Sequence, residues 1–109
     1  MAVFYGVMVE VDPKEEATWN DWHTRQHIPG VLAEPGFVRA IKYLLDTPDG
    51  DWHQYLTVYE LATREALDNY LRGEAVTQLR ADHYNHFGHC TRLSRMILTP
   101  TTVVDKLND

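Results

Sequence analysis

Apolar residues crowd the stretch "AVFYGVMVEV", residues 2–11, and they fall on both parities. Val3, Tyr5, Val7 and Val9 share one side, and Phe4 and Met8 the other. Such a run favours a β-strand. The period then changes. Asp12 followed by Pro13 is a helix-start pattern, an N-cap with proline at the first helical position. Trp19, Trp22, His23, Gln26 and His27 recur at i, i+3, i+4, i+7 and i+8, which is one helix face, while Asp21, Thr24 and Arg25 point elsewhere. Pro29 disfavours the helical conformation at Ile28, so this helix is predicted to end close to His27, with a second short turn over 30–34. Pro35 and Gly36 break it, and "FVRAIKYLLD", 37–46, reads as a second strand. "TPDGD" is a turn in which proline sets φ and Gly50 supplies a positive φ. "WHQYLTVYEL", 52–61, is then its hairpin partner. Thr63 caps a helix that places Ala66, Leu67, Tyr70 and Leu71 on one face, with Glu65 and Glu74 near its ends. Residues 74–87 read as helical and 91–100 as a last strand ending at Pro100. The tail "TTVVDKLND" carries no clear pattern.

The order β-α-β-β-α-β is the split βαβ arrangement of ferredoxin-like α+β folds, a four-stranded antiparallel sheet with its helices on one face. Residues 1–109 are expected to form one such domain. Helices of this length cover only one face of the sheet. A sheet face left in water should alternate polar with apolar, yet the first strand is apolar on both sides, and the third sets Tyr55 and Tyr59 opposite Leu56 and Val58. The uncovered face therefore calls for a partner, and a second copy of the same sheet supplies it, which predicts a homodimer.

Composition narrows the partners. A chain that is 44% hydrophobic can bury a core without disulfides or a structural metal. Its net charge is −6 and its ten Lys and Arg residues form no run, which argues against nucleic acid and anionic membrane. The single cysteine, Cys90, excludes an internal disulfide and fits a reducing, cytoplasmic setting. The first strand lacks a basic n-region and reaches Glu10 and Asp12, so it does not read as a signal peptide. No apolar run approaches the length of a membrane span.

The run "WHTRQHIPGVLAEPGF", an aromatic followed by two histidines, then proline and "PGF", resembles the dimeric α+β barrel superfamily and within it the EthD-like group. "YLTVYEL" is similar to that group's third strand and "ALDNYL" to its second helix, so the likeness covers most of the chain. The resemblance implies two ferredoxin-like sheets packed face to face, each protomer keeping a pocket between sheet and helices. Members include cofactor-free monooxygenases, muconolactone isomerases, polyketide cyclases and dehydratases, haem-handling enzymes and many proteins of unknown activity. Plant polyketide cyclases of this superfamily use a tyrosine on the second helix and a histidine six residues on. Tyr70 matches the tyrosine, but Val76 stands where the histidine would be. A catalytic histidine must then come from elsewhere, from His27, His83 or His86.

His27 is the first candidate. At a helix C-terminus the macrodipole favours the protonated imidazole, which would poise it near neutral pH as an acid or base. His23, one turn earlier, is a candidate assistant, and Trp19 and Trp22 are candidate walls of a substrate site. Tyr70 is a candidate hydrogen-bond partner for a substrate carbonyl or phenolate, His86 a further acid or base, and His83 a binding residue. Arg39 and Lys42 lie on an otherwise apolar strand, and Arg39 is a candidate to hold an anionic group. His23 and His27 have the spacing of a zinc pair, but Thr24 stands where the metalloprotease motif needs Glu and no third ligand is evident. His83, His86 and His89 are three residues apart, but Gly88 is expected to end the helix before His89, so no metal site is expected. There is no Gly-rich phosphate loop and no Gly-x-Ser-x-Gly elbow. The expectation is a small cofactor-independent enzyme using histidine acid/base chemistry on an aromatic, polyketide-like or lactone substrate, as a cyclase, dehydratase or isomerase. The alternatives are a cofactor-free monooxygenase and a non-catalytic ligand-binding dimer.

Overall fold

The computed structural model describes residues 2–46 and 50–107. β1 (Val3–Val11) is followed by α1 (Glu16–Trp22), a π-helical turn (His23–His27) and α2 (Ile28–Leu32). Then come β2 (Phe37–Leu45), β3 (His53–Leu61), α3 (Arg64–Arg72), α4 (Glu74–Phe87) and, after a 3-10 turn at Gly88–Cys90, β4 (Thr91–Leu98). All strand pairs are antiparallel in the order β2-β3-β1-β4, the ferredoxin-like α+β arrangement expected from the element order. Of the expected turn at "TPDGD", 47–51, residues 47–49 lie outside the described residues.

Alternation decides which face each strand residue serves. Val3, Tyr5, Val9 and Val11 of β1, with Tyr59 and Leu61 of β3, are buried beneath the helices. They form two core clusters. One joins Tyr5, Val31, Tyr59, Leu67, Tyr70 and Val76, and the other joins Val9, Trp19, Trp22, Phe87 and Cys90. Val7 packs against both, so the seam between them crosses the middle of the sheet. The opposite face carries Phe4, Met8, Ile41, Tyr43, Leu56, Val58, Met96 and Leu98, with Ile41 and Tyr43 each 48% exposed. The apolar second face read from the strand pattern is therefore present.

α3 begins as its sequence dictates. The Thr63 hydroxyl accepts from the Ala66 N–H at 3.1 Å, and Leu67 and Tyr70 are buried. Such a cap is worth about 1 kcal/mol. Gly36 turns the chain into β2 with φ +89°, and a Cβ there would lie 2.4 Å from the Ala66 Cβ, so only glycine fits.

Two boundaries of the first helix differ from expectation. Asp12 opens a turn instead of capping the helix: its Oδ1 accepts from Lys14 N–H at 3.0 Å and its carbonyl from Glu15 N–H at 2.9 Å. The helix starts at Glu16. Nor does it stop at His27. A proline inside an α-helix removes a hydrogen bond and strikes the carbonyl four residues back, here that of Arg25. The π turn resolves this by re-registering the backbone, so that Ile28 N–H donates to the His23 carbonyl five residues back. Pro29 then falls in the first turn of α2, where its missing N–H costs nothing.

Candidate functional site

The polar stripe of the first helix packs against α4. The rings of Trp19 and His23 stack at 4.4 Å, and those of His23 and His27 at 5.4 Å. Trp22 lies between His27 at 5.3 Å and His86 at 5.4 Å. From α4, His83 meets this stack edge-on and its Nε2 accepts the Trp19 indole N–H at 3.0 Å. Indole nitrogen only donates, so His83 Nε2 is unprotonated and the ring carries its proton on Nδ1. The structure thus brings together Trp19, Trp22, His23, His27, His83 and His86.

Their protonation reverses the expectation for His27. His27 sits inside a continuous helix, away from any C-terminus, so the macrodipole has no end there to favour a charge. Burial dominates. It pushes His27 and His83 down to about 4 and His23, only 2% exposed and further opposed by the Lys42 ammonium, to about 2. All three are neutral at pH 7. Among the described residues His23 Nδ1 and His27 Nδ1, both buried, have no hydrogen-bond partner, which leaves them to bind water or a ligand. His86 is half-exposed, and its Nδ1 lies 2.8 Å from the Asp82 carbonyl oxygen.

At the seam beside Val7, a cleft of about 30 Å³ is lined by Tyr5, His27, Tyr70, Arg80, His83 and Arg95, among others. Arg80 donates to the Tyr5 hydroxyl at 3.1 Å. Burial raises Tyr70 to about 12, so it remains a phenol able to donate. The cleft therefore joins two neutral imidazoles, two guanidiniums and three phenols, those of Tyr5, Tyr59 and Tyr70. This set is suited to taking a proton and holding the anion left behind.

Arg80 and Arg95 were not anticipated. The signal was present for both: Val76, Arg80, His83 and Phe87 share a helix face, and Arg95 alternates inward between Leu93 and Ile97. Arg39 lies elsewhere, on the open face of the sheet, paired with Glu60 at 3.0 Å. Its neighbour Lys42 faces the helices instead. Lys42 Nζ donates to Asn20 Oδ1 and to Thr24 Oγ1 at 3.2 Å, and lies 4.5 Å from the Trp19 ring centroid. Burial lowers it to about 8. Among the described residues no three His, Cys, Asp or Glu side chains form a group able to hold a metal ion. No described helix is long and apolar enough to cross a membrane.

The fold is shared with small α+β proteins of known structure. An EthD family protein from Bacillus halodurans superposes with a TM-score of 0.69 at 16% identity, over 93% of this chain and 100% of that one. HapK from Hahella chejuensis gives 0.65 at 13% identity, over 99% and 100% of the two chains. A variant of SnoaB, a cofactor-independent oxygenase from Streptomyces nogalater, gives 0.63 at 19%, over 96% and 98%. The chain is thus a ferredoxin-like α+β protein with the protomer fold that its EthD-like sequence resemblance implies. It belongs to the family described as a domain of unknown function, DUF4286, whose pattern matches residues 2–101. No curated protein matches it in sequence.

Proposed function

We propose that the chain is a small cofactor-independent enzyme that removes a proton from an aromatic, polyketide-like or lactone substrate. The observation that carries this reading is His27: neutral at pH 7, with a buried Nδ1 that has no partner among the described residues, in the same cleft as Arg80 and Arg95. A free imidazole nitrogen accepts the proton of an acidic C–H or phenol. The guanidiniums and the Tyr70 phenol stabilise the resulting enolate or phenolate. The anion in turn raises the affinity of His27 for its proton, so abstraction and charge pairing reinforce each other. Return of that proton to another carbon isomerises the substrate, and its delivery to a departing hydroxyl expels water. Attack of the enolate carbon on a carbonyl of the same molecule, with the proton delivered to the new alkoxide, closes a ring. His83, held as a single tautomer by Trp19, orders the wall beside it.

The two arginines also favour a second reading. The guanidiniums raise the population of a resonance-stabilised carbanion, which passes one electron to dioxygen and recombines with the superoxide formed, the requirement for a cofactor-free monooxygenase. The likeness to SnoaB supports this reading equally. The test is a panel of β-polyketones, lactones and hydroquinones followed by absorbance and by an oxygen electrode, with His27→Gln alongside. Turnover without oxygen uptake supports the first reading and stoichiometric uptake the second. Binding without turnover, indifferent to His27→Gln, leaves a ligand-binding protein. The proposal includes a homodimer through the apolar sheet face and, from the lone Cys90, a cytoplasmic setting.

A further inference from the structure

At about 30 Å³ the histidine cleft has room for one or two waters and for no ring. A groove of about 360 Å³ lies beside it, between the end of α2, the start of α3 and the junction of α3 with α4. Tyr70 belongs to the walls of both spaces. Its ring is positioned by edge-on contacts, with Phe37 at 4.9 Å and Tyr5 at 6.1 Å. The groove is chemically unlike the cleft. Its apolar surface comes from Pro35, Ala66 and Ala75, while Glu34, Glu65 and Glu74 also line it, and no Lys, Arg or His does so among the described residues. Two of its polar atoms are already engaged: the Thr63 hydroxyl caps α3 and Asn69 Oδ1 accepts from Arg72 at 2.7 Å.

We propose that this groove is a second subsite of the substrate pocket. It takes an uncharged alkyl tail, and the Tyr70 ring turns aside so that groove and cleft become one space in which the phenolic or enolisable head reaches His27. The inference deepens the function proposed above and rests on its assignment of the reacting head to the cleft. The glutamates exclude a carboxylate tail by like-charge repulsion, and the arginines of the cleft hold the anionic head, so the pocket orients its ligand by charge as well as by shape.

The experiment compares three probes by calorimetry: phenol, 4-hexylphenol and 6-(4-hydroxyphenyl)hexanoate. Half-burial of the six-carbon chain should make 4-hexylphenol bind roughly 50-fold tighter than phenol. The hexanoate should lose most of that gain. Asn69→Trp, which fills the groove from an exposed position on α3, should abolish the hexyl gain and leave phenol affinity unchanged. Ala75→Trp repeats the test from α4 should the first variant fail to fold. A full hexyl gain in either folded variant overturns the proposal, as does equal affinity for phenol and 4-hexylphenol, or no binding of either. Turnover separates the two readings. Groove-dependent binding with no turnover of any substrate leaves the subsite standing without the enzyme. His27-dependent turnover that ignores both tail and Asn69→Trp leaves the enzyme without the subsite.

Discussion

Mild acid should unfold this protein, because three histidines are buried neutral. His23 is held near 2, and His27 and His83 near 4, each against 6.5 in an unfolded chain. Above pH 6.5 both states hold these imidazoles neutral and the stability they permit is fully present. As pH falls below 6.5 the unfolded chain takes up protons that the folded one refuses, so stability drops. At pH 5 each ring costs 1.5 units at 1.36 kcal/mol per unit, about 2 kcal/mol, and the three together about 6 kcal/mol. That is comparable to the whole stability of a typical domain, roughly 5–15 kcal/mol. The loss should run at about 4 kcal/mol per pH unit near pH 5, then slacken below pH 4 as His27 and His83 become protonated in place. Urea unfolding followed by tryptophan fluorescence at pH 7.5, 6 and 5 measures it, since Trp19 and Trp22 are buried in the stack. His83→Gln should remove about a third of the slope. A free energy of unfolding that changes by less than about 1 kcal/mol between pH 7.5 and 5 would refute the reasoning.

His27→Gln keeps a hydrogen-bonding side chain of similar size but cannot titrate. Turnover should fall roughly 10²- to 10⁴-fold with little change in melting temperature at pH 7.5, and full activity would pass the role to His83 or His86. Trp19→Phe removes the donor that stabilises neutral His83, so the His83 pKa should rise toward 6.5 in an imidazole NMR titration, and an unmoved value would contradict the assigned tautomer. Gly36→Ala places a methyl group 2.4 Å from Ala66 at φ +89° and should cost about 2 kcal/mol in urea unfolding. A loss below about 0.5 kcal/mol would mean that the loop relaxes freely. Sedimentation should give about twice 12.6 kDa, and Ile41→Asp should give monomers, whereas a folded wild-type monomer would remove the dimer.

The sheet was legible in the sequence because its strands are apolar on both parities, and parity maps directly onto faces. The start of α3 was equally legible, since Thr63 caps it through a contact only three residues long. The first helix was misread at both ends for one reason: local rules describe α geometry, and this segment departs from it. Asp12 and Pro13 fit a helix start, but the backbone spends Asp12 on a turn. Pro29 fits a stop, but the π turn moves the hydrogen-bond register by one residue before the proline arrives. Hydropathy carries no trace of that shift. The expected charge of His27 fell with the helix end that had justified it.

The two strand arginines show where reading a site from sequence gives out. Arg39 and Arg95 each sit among apolar neighbours, and by simple alternation both point inward. Arg95 shares its parity with Leu93 and Ile97 and pairs without interruption opposite Val7, so it reaches the cleft. Arg39 has the parity of Phe37, whose ring packs on Tyr59 and Tyr70 beneath the helices. A bulge between Phe37 and Arg39 inverts the alternation for the rest of β2. It sends Arg39 to the open face beside Glu60 and turns Lys42 inward over Trp19. One extra residue in a strand thus exchanges the two basic side chains of β2 between the sheet's faces. The guanidinium that the stripe of histidines and tryptophans required comes instead from the unbulged β4 and from α4.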